Sequence, residues 1–349
     1  MSLLQRPMSL HRRQQQKTGF FPHRTIPLLA LLVVLGVFLP WTGTLEGLFF
    51  SSTDREGSLS RWRDHTLAQA AAFVARNGTL IVCAVSQPFL NNWLISIARQ
   101  RHHENVLVIA EDYSTLYNVN QRWPGHAVLI PPAPDAQTAH KFGSQMTGVP
   151  SSRPRHLLNI LELGYNVMYN IVDMVWLADP FPYLKGNHDV YFTDDMAAVK
   201  PLNHSYDLPP PAKKGRTYIC SCMIFLRPTK GVKEVMKKWI DELQEQPWSK
   251  KGKSNDQPAF NWALNKAAGH VSYLVDLYLL PQAAFPSGGL YFKNETWVQE
   301  TKGMHVIIHN NYISGFEKKI KRFRDYGLLV KYKQAGEIFC TACGIIKMM

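Results

Sequence analysis

Leu161-Glu-Leu-Gly-Tyr-Asn-Val-Met-Tyr-Asn-Ile-Val-Asp-Met-Val-Trp-Leu-Ala-Asp-Pro-Phe-Pro-Tyr183 is the stretch from which the fold is first decided. Its opening residues close a helix at Gly164, a residue that takes the left-handed conformation of a helix end without steric cost. An apolar run follows without the polar alternation of a half-exposed strand, which predicts a strand over 166–172 buried on both faces. Asp173 stands where that strand runs out. A carboxylate there offers hard oxygen ligands to a divalent cation; it equally serves as a strand-end residue satisfied by backbone donors. Trp176 and Asp179-Pro180 read as a core anchor and a turn.

Working outward, the β-branched run 79–86 is followed by a helical stretch, 89–99, and by a second apolar run, 105–110, which is β-α-β alternation. An Ala-rich amphipathic helix over 67–76 precedes them. Further strands are expected at 127–130, 189–193, 219–226 and 306–309, with helices at 154–163, 232–244 and 257–267. Such runs predict an α/β sandwich around a mostly parallel sheet. Ligands of these sheets lie outside the carboxyl ends of the strands, so polar residues there are the first candidates for a site. The proline-rich basic segment 208–215 is expected to be an exposed connection.

The hydrophobic content of 46% with 11% aromatic residues excludes a disordered chain. The formal charge of +13 is spread along the sequence with no zinc-finger or RNA-binding signature, so nucleic acid is not an expected partner. A diffuse positive surface suits a diphosphate or an anionic membrane face. The five cysteines, Cys83, Cys220, Cys222, Cys340 and Cys343, are too few for a disulfide scaffold, and neither close pair has the second half of a four-ligand zinc site. Cys340 and Cys343 are expected as a terminal disulfide or free thiols.

Residues 25–45 carry no charge, follow Arg6, Arg12, Arg13, Lys17 and Arg24, and precede Glu46, Asp54 and Glu56. This predicts a single-pass anchor with its basic end cytosolic: a tail over 1–24, a membrane helix over 25–45, a stem over 46–64 and a lumenal domain over 65–349. A cleaved signal peptide is the competing reading, and either one sends the body into the secretory pathway. The sequons at Asn77, Asn203 and Asn294 agree with that.

Six blocks occur in order: His140-Lys-Phe-Gly-Ser144, the 164–183 segment, Ser221-Cys-Met-Ile-Phe-Leu-Arg-Pro228, Asn255-Asp-Gln-Pro-Ala-Phe-Asn261, Leu280-Pro281 with Phe285-Pro-Ser-Gly288, and His309-Asn-Asn-Tyr-Ile-Ser-Gly315. In these the sequence resembles the nucleotide-diphospho-sugar transferase family, glycosyltransferase family 77, over most of 79–330. The resemblance implies a GT-A type nucleotide-sugar-binding fold and a retaining transferase with a UDP-sugar donor; with the anchor, the expected reaction is transfer to a glycan or glycoprotein hydroxyl in the Golgi lumen. It also implies a divalent cation, Mn²⁺ before Mg²⁺, held by an Asp-x-Asp motif and a later histidine.

Asp173 takes the second Asp position and His309 the histidine, whereas Ile171 stands at the first Asp and removes an oxygen ligand. Asp256 and Gln257 would face sugar and acceptor, although Asp256 is also placed where a helix N-cap would be. Asp112, Lys141, Gly315 and Lys318 (or Lys319) are candidates for the donor, and at most one of Asp194 and Asp195 for its sugar, since consecutive strand residues point apart. Cys222 replaces a glycine common in relatives. Ile171 leaves a second reading open, a lumenal nucleotide- or glycan-binding protein that kept the fold without the activity.

Overall fold

The computed structural model describes residues 62–85, 89–130, 152–199, 219–245, 256–271 and 275–329, all within one compact unit, Leu59–Met349. The expected anchor 25–45, its tail, nearly all of the stem, Lys141, Asn203, the 208–215 connection and Cys340–Cys343 lie outside the described residues. Among the described residues no helix is long and apolar enough to cross a membrane.

Helix α1 (Leu67–Val74) starts at a capping box: the Thr66 hydroxyl accepts from the Gln69 backbone while the Gln69 side chain accepts from the Thr66 N–H. Then come β1 (Thr79–Val85), α2 (Leu90–Arg99), β2 (Val106–Ala110), α3 (Tyr113–Arg122) and β3 (Ala127–Leu129), whose strands pair in parallel as the alternation predicts. Helix α4 (Arg153–Glu162) ends before Gly164, which has φ +91°, and β4 (Asn166–Asn170) returns beside β1, also in parallel. After β5 (Met174–Trp176) follow β6 (Val190–Asp194), β7 (Ile219–Leu226), α5 (Lys230–Glu245), α6 (Gln257–Val271), β8 (Leu277–Leu279), α7 (Gly288–Tyr291), α8 (Glu295–Glu300), β9 (Ile307–His309) and α9 (Phe316–Asp325).

The main sheet has seven strands in the order β3-β2-β1-β4-β7-β6-β8, and within it only β7 runs against its neighbours. Side chains alternate between two cores. Ile81, Cys83, Val106, Val108 and Met168 face α2, the β5/β9 pair and Phe323 of α9. Leu80, Val82, Leu107, Ile109 and Val167 face α1, α4, α5 and Phe260 of α6. Each such aliphatic side chain taken fully from water contributes roughly 1.5–3 kcal/mol, so the two cores, not surface pairs, hold the sandwich together. This is the α/β sandwich around a mostly parallel sheet that the sequence implies.

The structure departs from the sequence reading at one informative place. The strand predicted over 166–172 ends at Asn170, and the apolar run continues because the chain turns and enters a second sheet, β5 paired antiparallel with β9. Trp176 fixes that corner: it is buried, and its Nε1 donates to Asn170 Oδ1 at 2.6 Å. A second irregularity lies in β7, which pairs Ile224 with Phe192 but Cys220 with the next residue, Thr193. The intervening Ser221, Cys222 and Met223 form a bulge, a device that re-aims side chains at the end of a strand.

Candidate active site

The site lies at the carboxyl ends of β4 and β6 and at the opposed amino end of β7. Met174 pairs with His309 across the two-stranded sheet, so Asp173, one residue earlier, is placed beside the His309 ring. The backbone closes the turn through Asn310 N–H donating to Asp173 O at 3.0 Å. Asp173 Oδ1 lies 3.5 Å from His309 Nε2, while the Lys319 ammonium from α9 bonds Oδ2. Both residues are buried, and Oδ1 has no hydrogen-bond partner of its own. Burial alone raises the Asp173 pKa, but the charges and bonds of His309 and Lys319 outweigh it and hold the carboxyl well below its usual range. Burial lowers the His309 imidazole in the same way; Asp173 reverses this and pushes it up to about 10.

Helix α9 is held over this corner by hydrogen bonds. Asn310 Nδ2 donates to Lys319 O at 3.0 Å, Arg322 Nε to Asn310 Oδ1 at 2.7 Å and Arg322 Nη2 to Asn311 O at 2.6 Å. The helix starts at Gly315, whose φ of +96° favours glycine, although a Cβ there would meet nothing within 4 Å. Of the two lysines considered from sequence, Lys319 reaches the site and Lys318 is exposed. Gly288 is required for a different reason: a Cβ would lie 2.5 Å from Asn311 O and 2.8 Å from His309 O. The start of α7 thus abuts the exit of β9 directly.

The second half of the site is built around Asp256. Its carboxylate is buried against the Arg153 guanidinium, which also donates to Ser221 O at 2.8 Å and lies over the rings of Tyr169 and Trp239. Trp239 Nε1 donates to Asp256 O at 3.0 Å. The N-cap reading of this side chain therefore gives way: Oδ1 is taken by Arg153 with Ser221 Oγ at 3.5 Å, and the buried Oδ2 has no hydrogen-bond partner. Gln257 is locked at both ends of its amide, accepting from Ser221 N–H at 3.2 Å and donating to Asp195 Oδ2 at 2.6 Å.

Asp195 is the connecting residue, and the sequence left it level with Asp194. Its Oδ1 accepts from Asn311 Nδ2 at 2.8 Å and its backbone oxygen from the Tyr312 hydroxyl at 2.6 Å, so it joins α6 to the chain leaving β9. Burial drives its pKa up to about 6, against the nearby His309 charge and the Gln257 bond. Asp194 points to the other side and accepts from Met196 N–H and Gln282 Nε2. Only the i, i+1 alternation hinted at this division of roles.

Two further residues missed by spacing alone are Cys220 and Cys222. The β7 bulge brings them to His309, and the three ligand atoms all lie within 4.8 Å of one another. Asp112 does not join the cluster through a side-chain bond of its own: it caps α3, accepting from Thr115 N–H at 2.7 Å.

Asp173 and His309 fit a divalent cation, since an orphaned carboxylate oxygen faces an imidazole nitrogen in a buried site. They supply two ligands, and Ile171, half-buried against the core, supplies none. Lys319 adds a fixed positive charge beside them.

The family described as nucleotide-diphospho-sugar transferase matches residues 101–323. The UDP-D-xylose:L-fucose alpha-1,3-D-xylosyltransferase MGP4 of Arabidopsis thaliana is 69% identical over 314 residues, 89% of this chain and 86% of that protein. The UDP-D-xylose:L-fucose alpha-1,3-D-xylosyltransferase 1 of the same plant is 66% identical over 310 residues, 86% of this chain and 85% of that protein. A UDP-galactose:fucoside alpha-3-galactosyltransferase of Dictyostelium discoideum is 25% identical over 201 residues, 55% of this chain and 30% of that protein.

Proposed function

The chain belongs to the nucleotide-diphospho-sugar transferase family and is a glycosyltransferase, and we propose that it moves D-xylose from UDP-D-xylose to a fucose hydroxyl with retention at the anomeric carbon. The identities of 69% and 66% to two proteins named for that reaction support the donor and the acceptor sugar. The alpha linkage in those names supports retention, since the sugar of a UDP-xylose donor is itself α-linked. The observation that carries the mechanism is the meeting of Asp173, His309 and Lys319, drawn from a strand corner, a strand end and a helix. Ile171 speaks for an inactive binding protein, and the two close relatives named as transferases weigh against it.

In this reading Lys319 and the His309 corner face the diphosphate, whose negative charge grows as the sugar leaves. A divalent cation, Mn²⁺ in the first place, would be held by Asp173 and His309 and would act as a Lewis acid on the departing UDP. Asp256 stands toward the sugar with Oδ2 uncommitted, where a carboxylate stabilises positive charge developing at the anomeric carbon. Gln257 and Asp195 position donor and acceptor, their mutual bond fixing both side chains before substrate arrives. Lys318, Gly315 and Asp112 serve by shaping the rim, and Asp112 by starting α3.

The uncharged stretch 25–45 and the basic residues before it support a type II membrane protein with this domain in the Golgi lumen. Asn77, exposed in the turn before β1, is a site for N-glycan in that compartment. The test is transfer of labelled xylose from UDP-xylose to a fucoside, with linkage determined by NMR. Turnover with UDP-galactose and none with UDP-xylose would overturn the donor assignment, and no turnover on fucosides would overturn the acceptor.

A further inference from the structure

We propose that Cys220, Cys222 and His309 form a second cation site, selective for a thiophilic divalent ion such as Zn²⁺. It lies at the Nδ1 edge of the His309 ring, and Asp173 lies at the Nε2 edge. Cys220 Sγ is 3.6 Å from His309 Nδ1, whereas Nε2 is the atom turned to Asp173. Zinc bonds of about 2.3 Å to sulfur and about 2.0 Å to nitrogen, meeting at the tetrahedral angle, put those two atoms about 3.5 Å apart. Cys222 completes the trio within the same 4.8 Å. Cys220 and His309 are buried, and half-buried Cys222 leaves a route for the ion and an open fourth position for water.

The chemistry separates this site from the first. Two thiolates and an imidazole are soft and borderline ligands that favour zinc, while the carboxylate of Asp173 and phosphate oxygens favour Mn²⁺ or Mg²⁺. Binding releases the two S–H protons and the Nδ1 proton of the imidazolium to solvent, leaving Zn²⁺ with two thiolates and a neutral ring. With the metal on Nδ1, the ring proton resides on Nε2, which then donates to Asp173 and cannot ligate a second ion. Zinc on the cysteine side therefore turns off the cation grip on the carboxylate side. This consequence, unlike the site itself, rests on the proposed role of His309 in holding the donor's cation.

The probe is Co²⁺, titrated into the reduced full-length chain carrying C340S/C343S, which removes the terminal pair as a competing ligand. One equivalent is expected to give thiolate-to-cobalt charge-transfer absorption with tetrahedral d–d bands, and Zn²⁺ is expected to displace it. C222S, with one thiolate left, halves the charge-transfer intensity, and C220A/C222A abolishes it. A folded parent without these bands, or bands that survive in C220A/C222A, would overturn the site. Should C220A/C222A melt far below the parent, C222S with zinc displacement in the parent decides the matter.

Xylosyl transfer is measured in parallel with Mn²⁺ fixed. Stoichiometric Zn²⁺ is expected to lower the parent's rate at least about tenfold, and to have less effect on C222S relative to its own zinc-free rate. Equal inhibition of both would overturn the coupling. Cobalt bands in a chain with no transfer under any metal would support the site and count against the transferase mechanism, which keeps the two failures apart.

Discussion

Arg153 and Asp256, 103 positions apart in sequence, form a buried ion pair whose guanidinium is layered over the aromatic faces of Tyr169 and Trp239. This pair clamps α4 to the start of α6 and thereby aims Asp256 and Gln257. Truncating Arg153 leaves a buried carboxylate without its counter-charge, a change that costs about 3–5 kcal/mol. Urea unfolding of R153A is expected to show a loss of that order. R153K restores charge without the planar fork, so its stability should recover more than its kcat.

Asp173→Asn keeps the shape of the corner and removes its charge. Isothermal titration with UDP is expected to show Mn²⁺-dependent binding weakened by on the order of 10–100-fold, with metal-free binding through Lys319 largely retained. Equal UDP affinity for the parent and D173N in Mn²⁺ would remove Asp173 from the cation site.

Ile171→Asp supplies the oxygen ligand that the sequence lacks. Cation affinity should rise by on the order of tenfold, since charge count in the ligand set tunes it. Because Ile171 packs against the core, the melting temperature should fall at the same time.

The Asp173–His309 pair also sets a pH window for the metal-free protein. Asp173 is depressed below its ordinary value, so its contribution to stability is present above the usual carboxylate range and is lost in acid. His309 is raised from 6.5 to about 10, so its contribution is complete below 6.5 and disappears as pH climbs through about 10. The difference in unfolding free energy between the parent and H309Q is therefore expected to shrink between those values. A difference that is flat or grows over that interval would contradict the ion pair.

Asp195 has the sign opposite to that of Asp173. With its pKa raised to about 6, the folded state binds the extra proton between the ordinary carboxylate range and 6, so this residue's contribution to stability falls as pH rises through that window. Protonation also removes an acceptor from Gln257 or Asn311. The rate of transfer should drop below about pH 6 along a one-proton limb. D195N should lose that limb along with on the order of 10²-fold in kcat, as a displaced positioning group does.

Much of this was written in the sequence, and the parts that were not share a cause. Apolar runs marked β1, β2, β4 and β7 because strands buried on both faces leave no polar alternation to confuse them. Asp173 and His309 were legible as strand-end residues. Their adjacency was not, since it depends on β5 and β9, two three-residue strands whose pairing is purely non-local. The Cys220, Cys222 and His309 trio was hidden for the same reason: spacing on one strand says nothing of a histidine delivered by another, and the β7 bulge has no signature in Ser221-Cys-Met223. Lys318 and Lys319 are neighbours on a basic helix, and only the packing of α9 through Arg322 on Asn310 and Asn311 selects the second.

The reversed direction of β7 brings together residues that chain order keeps apart. Where the neighbouring strands β4 and β6 reach the ligand edge at their ends, β7 meets it at its beginning, so Asp194 closing β6 and Ile219 opening β7 are paired on one rim. Asp195 and Ser221, which lie close to this pair in the chain, therefore share that rim as well.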